Sequence, residues 1–167
     1  MDEPDGFGAF VRASGPSLLR AGWLLTGNWA SAEDLVQTAL ASAWQRWDRA
    51  SRSPEGYVRA IMTTTYLSWR RRRWIGEHPT VDLPDRPGVD TYEHIDERHA
   101  LQDVLAKLSS QQRAAIVLRY FADLSEADTA AAMGCSPGAV KSHTSRALAR
   151  LRSQPGVAEI LRGEVTS

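Results

Sequence analysis

The chain has 167 residues, a length that suits one domain of ordinary size or two small ones. With 43% hydrophobic and 24% charged residues it has the composition of a soluble globular protein, which excludes a wholly disordered chain, a collagen and a disulfide scaffold. Basic and acidic residues number ten and eight in 1–77, one and six in 78–97, and nine and six in 98–167. The net charges of +2, −5 and +3 predict local basic patches that the overall balance conceals.

The first two predicted helices lie in the N-terminal third of the chain. Apolar residues recur there, as throughout the chain, at spacings of three and four, which predicts an all-α fold. The first helix is predicted from Phe7 to a stop signal at residues 26–28, with a break or kink at Gly15-Pro16. The second is predicted to have Ser31 as its N-cap and to end near Arg49.

A third helix is predicted from Ser53-Pro54, because proline is favoured at the first helical position. It runs into four consecutive arginines, residues 70–73, and carries aromatic side chains between its cations: Tyr57, Tyr66, Trp69 and Trp74. Such a combination can stack unpaired bases while holding the phosphate backbone. Core packing of the aromatics and a solvated helix end are the alternative interpretations.

The segment 76–96 contains three prolines and no apolar periodicity, which predicts a flexible acidic linker. The linker would join two small helical domains, residues 1–75 and residues 97–167. All six tryptophans lie in the first of these ranges, so two separate hydrophobic cores are expected.

The second domain is predicted to contain helices near 97–108, 110–121, 126–133 and 137–152. Capping signals precede three of them, at Ser109, Ser125 and Ser136, and Gly134 supplies a left-handed turn between the last two. The last pair therefore predicts a helix-turn-helix, and from 129 to 158 the sequence has no acidic residue. A basic second helix after such a turn is typical of a DNA major-groove reader, although a helical hairpin with a solvated basic face has the same pattern.

Signatures of enzymes are absent from the sequence, and no catalytic residue, metal site or cofactor is predicted. The four histidines are scattered, and Cys135 in the turn is interpreted as a packing residue. A single cysteine, an acidic N-terminus and the absence of a long apolar run predict a soluble cytoplasmic protein without a membrane span.

The order of these motifs resembles the extracytoplasmic-function group of bacterial RNA polymerase sigma factors. The strings Leu25-Thr26-Gly27-Asn28 and Ala32-Glu33-Asp34-Leu35-Val36-Gln37-Thr38-Ala39-Leu40 look like regions 2.1 and 2.2 of that family. Residues 54–74 resemble regions 2.3 and 2.4, and residues 108–152 resemble region 4. The resemblance covers nearly the whole chain and implies a two-domain initiation subunit that is not an enzyme.

The resemblance also implies three binding surfaces. Core polymerase would dock, through the clamp helices of its β′ subunit, on Asp34, Leu35, Gln37, Thr38 and Leu40. The −10 promoter element would contact Arg52, Ser53, Tyr57, Arg59, Thr64, Arg70, Arg71, Arg72 and Arg73, with a flipped base held by the loop 48–53. The −35 element would contact Ser136, Gly138, Lys141, Ser142, Ser145, Arg146 and Arg150. Thr64 stands where many relatives carry an asparagine.

Further implied partners are the polymerase β flap, which region 4 touches in the family, and an anti-sigma factor, for which the sequence offers no test. The linker would occupy the RNA exit path. Two other functions stay open at the level of sequence: a stand-alone helix-turn-helix regulator that binds a palindrome as a dimer, and a helical interaction module that does not bind DNA.

Overall fold

A computed structural model describes the backbone of residues 2–74 and 92–154 and the side chains of residues 2–72 and 99–154. The chain divides into two compact units, Met1–Leu83 and Pro84–Ser167. Within the described residues all regular secondary structure is helical, which confirms the predicted all-α fold. Most of the predicted linker lies outside the described residues, and its last part is helical, because a helix begins at Tyr92.

The described residues of the first unit form four helices. They are α1 (Phe7–Thr26), α2 (Trp29–Gln45), α3 (Trp47–Ala50) and α4 (Pro54–Trp74). Helix α2 packs against both α1 and α4. Its contact with α1 is close, because a Cβ atom on Gly22 would lie 3.2 Å from the carbonyl oxygen of Ala32. The side chains that fill the space between the three long helices are fully buried: Leu18, Leu24, Leu25, Leu35, Val58 and Met62.

Three sequence predictions about this unit need correction. Helix α1 continues through Pro16, so the predicted break is wrong. Pro16 and Arg12 are exposed, and water can donate to the Arg12 carbonyl that the proline leaves without a partner. The N-cap of α2 is Asn28 rather than Ser31, since the Asn28 side chain accepts a 3.0 Å hydrogen bond from the Ser31 N–H. Helix α2 ends at Gln45, and α3 forms the separate turn that reaches the predicted end.

In the second unit, the described residues form four α-helices and one π-helical segment. They are α5 (Tyr92–Leu105), α6 (Ser110–Ile116), the π-helical segment (Val117–Phe121), α7 (Glu126–Met133) and α8 (Pro137–Arg152). Helix α8 packs against α6 and α7. The core of the second unit contains six fully buried side chains: Leu105, Ile116, Val117, Leu118, Val140 and Leu151. Helix α5 begins earlier than the predicted position near 97 and ends before 108.

The three predicted caps of this unit are confirmed. Ser109 and Gln112 form a reciprocal capping box at the start of α6. The Ser125 hydroxyl accepts a 3.0 Å hydrogen bond from the Asp128 N–H, and the Ser136 hydroxyl accepts one of 3.1 Å from the Ala139 N–H. Each cap satisfies an N–H that the first helical turn leaves without a partner, so the caps fix where α7 and α8 begin.

Candidate nucleic-acid interface

Helices α7 and α8 form the predicted helix-turn-helix. Gly134 follows α7 with φ 66°, a left-handed conformation that favours glycine, and Ser136, two residues later, is the N-cap of α8. Thr129, Ala130 and Ala132 of α7 are buried, and their small side chains let the two helices approach closely. The turn and the cap therefore determine how α8 projects from the unit.

Helix α8 separates its apolar and polar residues on two faces. Val140, Ala147 and Leu151 are buried at spacings of seven and four, which is one side of a helix. The predicted DNA-contacting side chains lie on the exposed side: Lys141, Ser142, Ser145, Arg146 and Arg150. This face has cations to hold phosphates and hydroxyl and ammonium groups to reach base edges.

Two other predicted residues lie at the N-terminus of α8. Ser136 is exposed, but its hydroxyl already caps the helix through the Ala139 N–H. Gly138 is exposed in the first turn, where the nearest neighbour of an added Cβ would be the Ser136 hydroxyl oxygen at 3.9 Å. Both positions leave the start of the helix sterically open, and no acidic residue lies in its first turn.

A cleft of about 290 Å³ borders the exposed face of α8. It is lined by Arg119 and Tyr120 of the π-helical segment, Glu126 of α7, and Lys141, Thr144, Ser145, Leu148 and Arg152 of α8. The Glu126 carboxylate lies 3.7 Å from the Lys141 ammonium. Sequence reasoning missed this contact, because the two residues lie on different helices and no short-range sequence pattern links the start of α7 with the second turn of α8.

The basic end of α4 provides a second candidate surface in the first unit. Arg70, Arg71 and Arg72 are exposed, whereas the side chain of Arg73 lies outside the described residues. Thr64 is also exposed, and its hydroxyl donates a 2.9 Å hydrogen bond to the Ala60 carbonyl. At the other end of the helix, Arg52 and Ser53 are exposed and Tyr57 is half-buried.

Arg59 was predicted to contact DNA, but the Nη2 group of its guanidinium is engaged inside the first unit. It donates to the Ser17 hydroxyl at 2.9 Å and lies 3.3 Å from the Glu55 carboxylate, with only 12% of its side chain exposed. Its role in the structure is to join α4 to α1. Tyr66, one of the aromatics considered for base stacking, is 3% exposed and belongs to the core, while Trp69 is half-buried.

The segment 48–53, predicted to hold a flipped base, is partly helical because α3 extends to Ala50. Asp48, Arg49 and Ser51 are exposed, whereas Trp47 and Ala50 are buried beneath them. A cleft of about 420 Å³ lies beside it, lined by Gln45, Arg46, Asp48 and Arg49. Polar side chains therefore border an open space, and the buried residues of the neighbouring segment hold that segment in place.

The predicted polymerase-docking residues divide between the surface and the core. Asp34, Gln37 and Thr38 are exposed on one side of α2, and Leu40 is half-buried. Leu35 has no exposed surface, so its prediction as a docking residue is corrected: it packs inside the first unit and cannot contact a partner directly. The fully exposed part of the predicted surface, called the docking surface below, is therefore Asp34, Gln37 and Thr38.

Other kinds of site find no support in the described part of the chain. No group of three or more histidine, cysteine, aspartate or glutamate side chains is placed to bind a metal ion there. In the same residues, no helix has the length and apolar character needed to cross a membrane. Cys135 is half-buried in the turn of the helix-turn-helix.

Comparisons with known proteins agree with this organisation. Residues 10–75 match the family described as sigma-70 region 2, and residues 98–151 match sigma-70, region 4. The chain is 41% identical over 156 residues to the RNA polymerase sigma-E factor of Streptomyces coelicolor, covering 92% of this chain and 88% of that protein. It is 30% identical over 135 residues to the ECF RNA polymerase sigma factor SigL of Mycobacterium tuberculosis, covering 77% and 76%.

A solved structure is similar as well. The sigma factor RpoE of Bartonella quintana, crystallised with the anti-sigma factor NepR, superposes with a TM-score of 0.70 at 26% identity. The match covers 95% of this chain and 98% of that one.

Proposed function

The chain belongs to the extracytoplasmic-function group of sigma-70 family RNA polymerase sigma factors and directs transcription initiation, and we propose that three described surfaces divide this work. The docking surface of α2 binds core RNA polymerase. The segment 48–53 and the exposed residues of α4 bind the −10 element. The exposed face of α8 reads the −35 element.

The exposed face of α8 is the observation that carries this proposal. A helix whose apolar side chains are buried and whose opposite side presents Lys141, Arg146 and Arg150 can lie in a major groove without exposing its core. The absence of acidic residues from 129 to 158 avoids repulsion of the phosphates on either side of the groove.

The first unit supports a different kind of DNA contact. Arg70, Arg71 and Arg72 are exposed at the end of α4, where they can hold phosphates without reading bases. The cleft beside residues 48–53 offers a polar space for a single extruded base, whose unstacking costs a few kcal/mol. Phosphate contacts by the arginines would offset part of that cost.

The remaining assignments follow from the family. The proposed domain limits are 1–75 and 97–167, with the acidic residues 76–96 as the linker and the cytoplasm as the site of action. Partners are core RNA polymerase, including its β′ clamp helices and β flap, and promoter DNA. RpoE is bound by an anti-sigma factor in its structure, and this likeness supports an anti-sigma factor as a partner here. A stand-alone regulator is not favoured, because both sigma regions are matched.

Transcription in a purified system tests the proposal. The full-length protein is added to core RNA polymerase on a pool of promoter fragments from the source genome, and transcript start sites are mapped. We expect discrete transcripts that require both the protein and core polymerase. Binding of the protein alone to a palindromic site, with no effect of the protein on transcription by core polymerase, would instead support the stand-alone regulator.

A further inference from the structure

We propose that Glu126 is a positioning residue for DNA reading, because its carboxylate holds the Lys141 ammonium in one of the arrangements that can reach a base. The inference rests on the proposed function of α8 and goes beyond it, since it assigns a specificity role to a residue outside the reading helix. The two charged groups lie 3.7 Å apart, one at the start of α7 and the other in the second turn of α8.

The surroundings of Glu126 explain why an acid can be tolerated so close to DNA. Among the described side chains that line the cleft beside α8, Glu126 is the one acidic residue, and Arg119, Lys141 and Arg152 supply three cations. The carboxylate therefore lies in a positive environment that offsets its repulsion of phosphate. Its presence lowers the local positive charge, which would weaken general DNA binding, so a role in binding strength alone does not account for it.

Lysine has a flexible side chain, and this flexibility is the reason that positioning matters. An unrestrained lysine side chain loses considerable rotamer freedom when it binds a base. Its ammonium can also donate hydrogen bonds to many different acceptors. The Lys141 side chain is 69% exposed while its ammonium contacts Glu126, so the ion pair restricts the chain without covering it. The remaining N–H groups can donate to acceptors on a base edge, of which O6 and N7 of guanine are the most favourable pair.

Other cations of α8 do not share this restraint. Arg146 and Arg150 are exposed, and neither makes an ion pair within the described part of the chain. They suit phosphate contacts, which tolerate variation in side-chain position. Lys141 therefore differs from its neighbours on α8, because a residue of α7 restrains it in a position for reading a base.

The matched control is Asp128, which lies in the same first turn of α7 and is exposed. Among the described residues it makes no ion pair, and only its backbone N–H takes part in the Ser125 cap. Glu126→Gln and Asp128→Asn each remove one negative charge from the same helix end. A difference between the two variants therefore reports the contact with Lys141 and not the general loss of charge.

The experiment uses holoenzyme made from core RNA polymerase and the full-length protein, on a promoter that it transcribes, with each upstream base pair replaced in turn. Discrimination is the ratio of initial transcription rates on the parent and substituted templates. We expect Glu126→Gln to lower discrimination by about two- to fivefold at the base pairs that Lys141→Ala also affects. This range corresponds to the free energy that ion pairs near the surface contribute. Asp128→Asn should leave the ratios unchanged, and Glu126→Gln should add nothing in a Lys141→Ala background.

Two kinds of Glu126→Gln effect would overturn the positioning role. One is an equal change on every template, matching that of Asp128→Asn, and the other is an effect of Glu126→Gln that persists when Lys141 is alanine. If Lys141→Ala itself leaves every ratio at the parent value, Lys141 is not a reading residue, and the positioning role fails together with that part of the proposed function. If Lys141→Ala acts while Glu126→Gln does not, only the positioning role is lost.

Discussion

The indole N–H of Trp47 donates a 2.8 Å hydrogen bond to the backbone carbonyl of Asp5, 42 positions earlier in the chain. The Phe7 ring packs edge-on against the Trp47 ring, with 5.1 Å between the centroids. These contacts attach the N-terminal segment to α3, which forms the first part of the segment proposed to hold a flipped base. The position of that segment therefore depends on residues far from it in sequence.

Replacing Trp47 by phenylalanine is expected to destabilise the first unit by about 1–3 kcal/mol, because the hydrogen bond is lost and a smaller ring leaves a void. Urea unfolding followed by tryptophan fluorescence measures this change selectively, since all six tryptophans lie between 23 and 74. Trp44→Phe is the control: its ring also packs on Phe7, but no described residue accepts a hydrogen bond from its indole nitrogen. Equal stability losses in the two variants would remove the hydrogen bond from the explanation.

Asp34→Arg is expected to weaken binding to core RNA polymerase, because it inverts a charge on the exposed docking surface of α2. Its unfolding midpoint should stay close to that of the parent, since the side chain is exposed. Asp103→Arg, the same charge reversal at another exposed position, on α5, controls for the altered net charge. Titration of labelled protein with core polymerase gives the two dissociation constants, and parent-like affinity for Asp34→Arg would place the docking surface elsewhere.

Leu35→Ala is expected to have the opposite profile. Leu35 has no exposed surface, so its truncation should cost about 2–5 kcal/mol of stability in the first unit. In conditions where the variant is still folded, its affinity for core polymerase should equal that of the parent. Tryptophan fluorescence during unfolding and the same polymerase titration test both statements. A Leu35→Ala variant as stable as the parent but with weaker polymerase binding would show that Leu35 does belong to the docking surface.

The contrast between these neighbouring residues shows how far sequence could predict the fold and the site. Caps and turns are local, so Ser125, Gly134 and Ser136 indicated both helices of the helix-turn-helix and their bounds. The hydrogen-bonding partner of Arg59 on another helix is Ser17, 42 positions away, and no local pattern reports that distance. The basic pattern of α4 therefore predicted a DNA contact for a side chain that tertiary packing had already engaged.

Replacing Arg71 and Arg72 together by alanine is expected to weaken binding of all promoters alike and to lower the salt slope by about one to two units. Both side chains are exposed and suited to phosphates, which carry no sequence information. Arg59→Ala is the comparison: its engaged guanidinium predicts a loss of stability with an unchanged salt slope. Holoenzyme binding to a promoter over a series of salt concentrations measures the slopes. Equal slopes for the parent and the double variant would mean that Arg71 and Arg72 are solvated and do not contact phosphates.

The last prediction separates two cations on the exposed face of α8. Arg146→Ala is expected to reduce transcription from promoters that depend on the −35 element, with a similar loss of affinity for every upstream sequence, because it removes a phosphate contact. Lys141→Ala should change the preference among upstream sequences by about 1–3 kcal/mol at the base pair it reads. Neither change should alter binding of core polymerase to the docking surface on α2, since both side chains lie in the second unit. Transcription from templates substituted base by base, with polymerase binding measured in parallel, distinguishes these effects. Parent-like transcription by both variants on all templates would mean that a different face of the second unit contacts the −35 element.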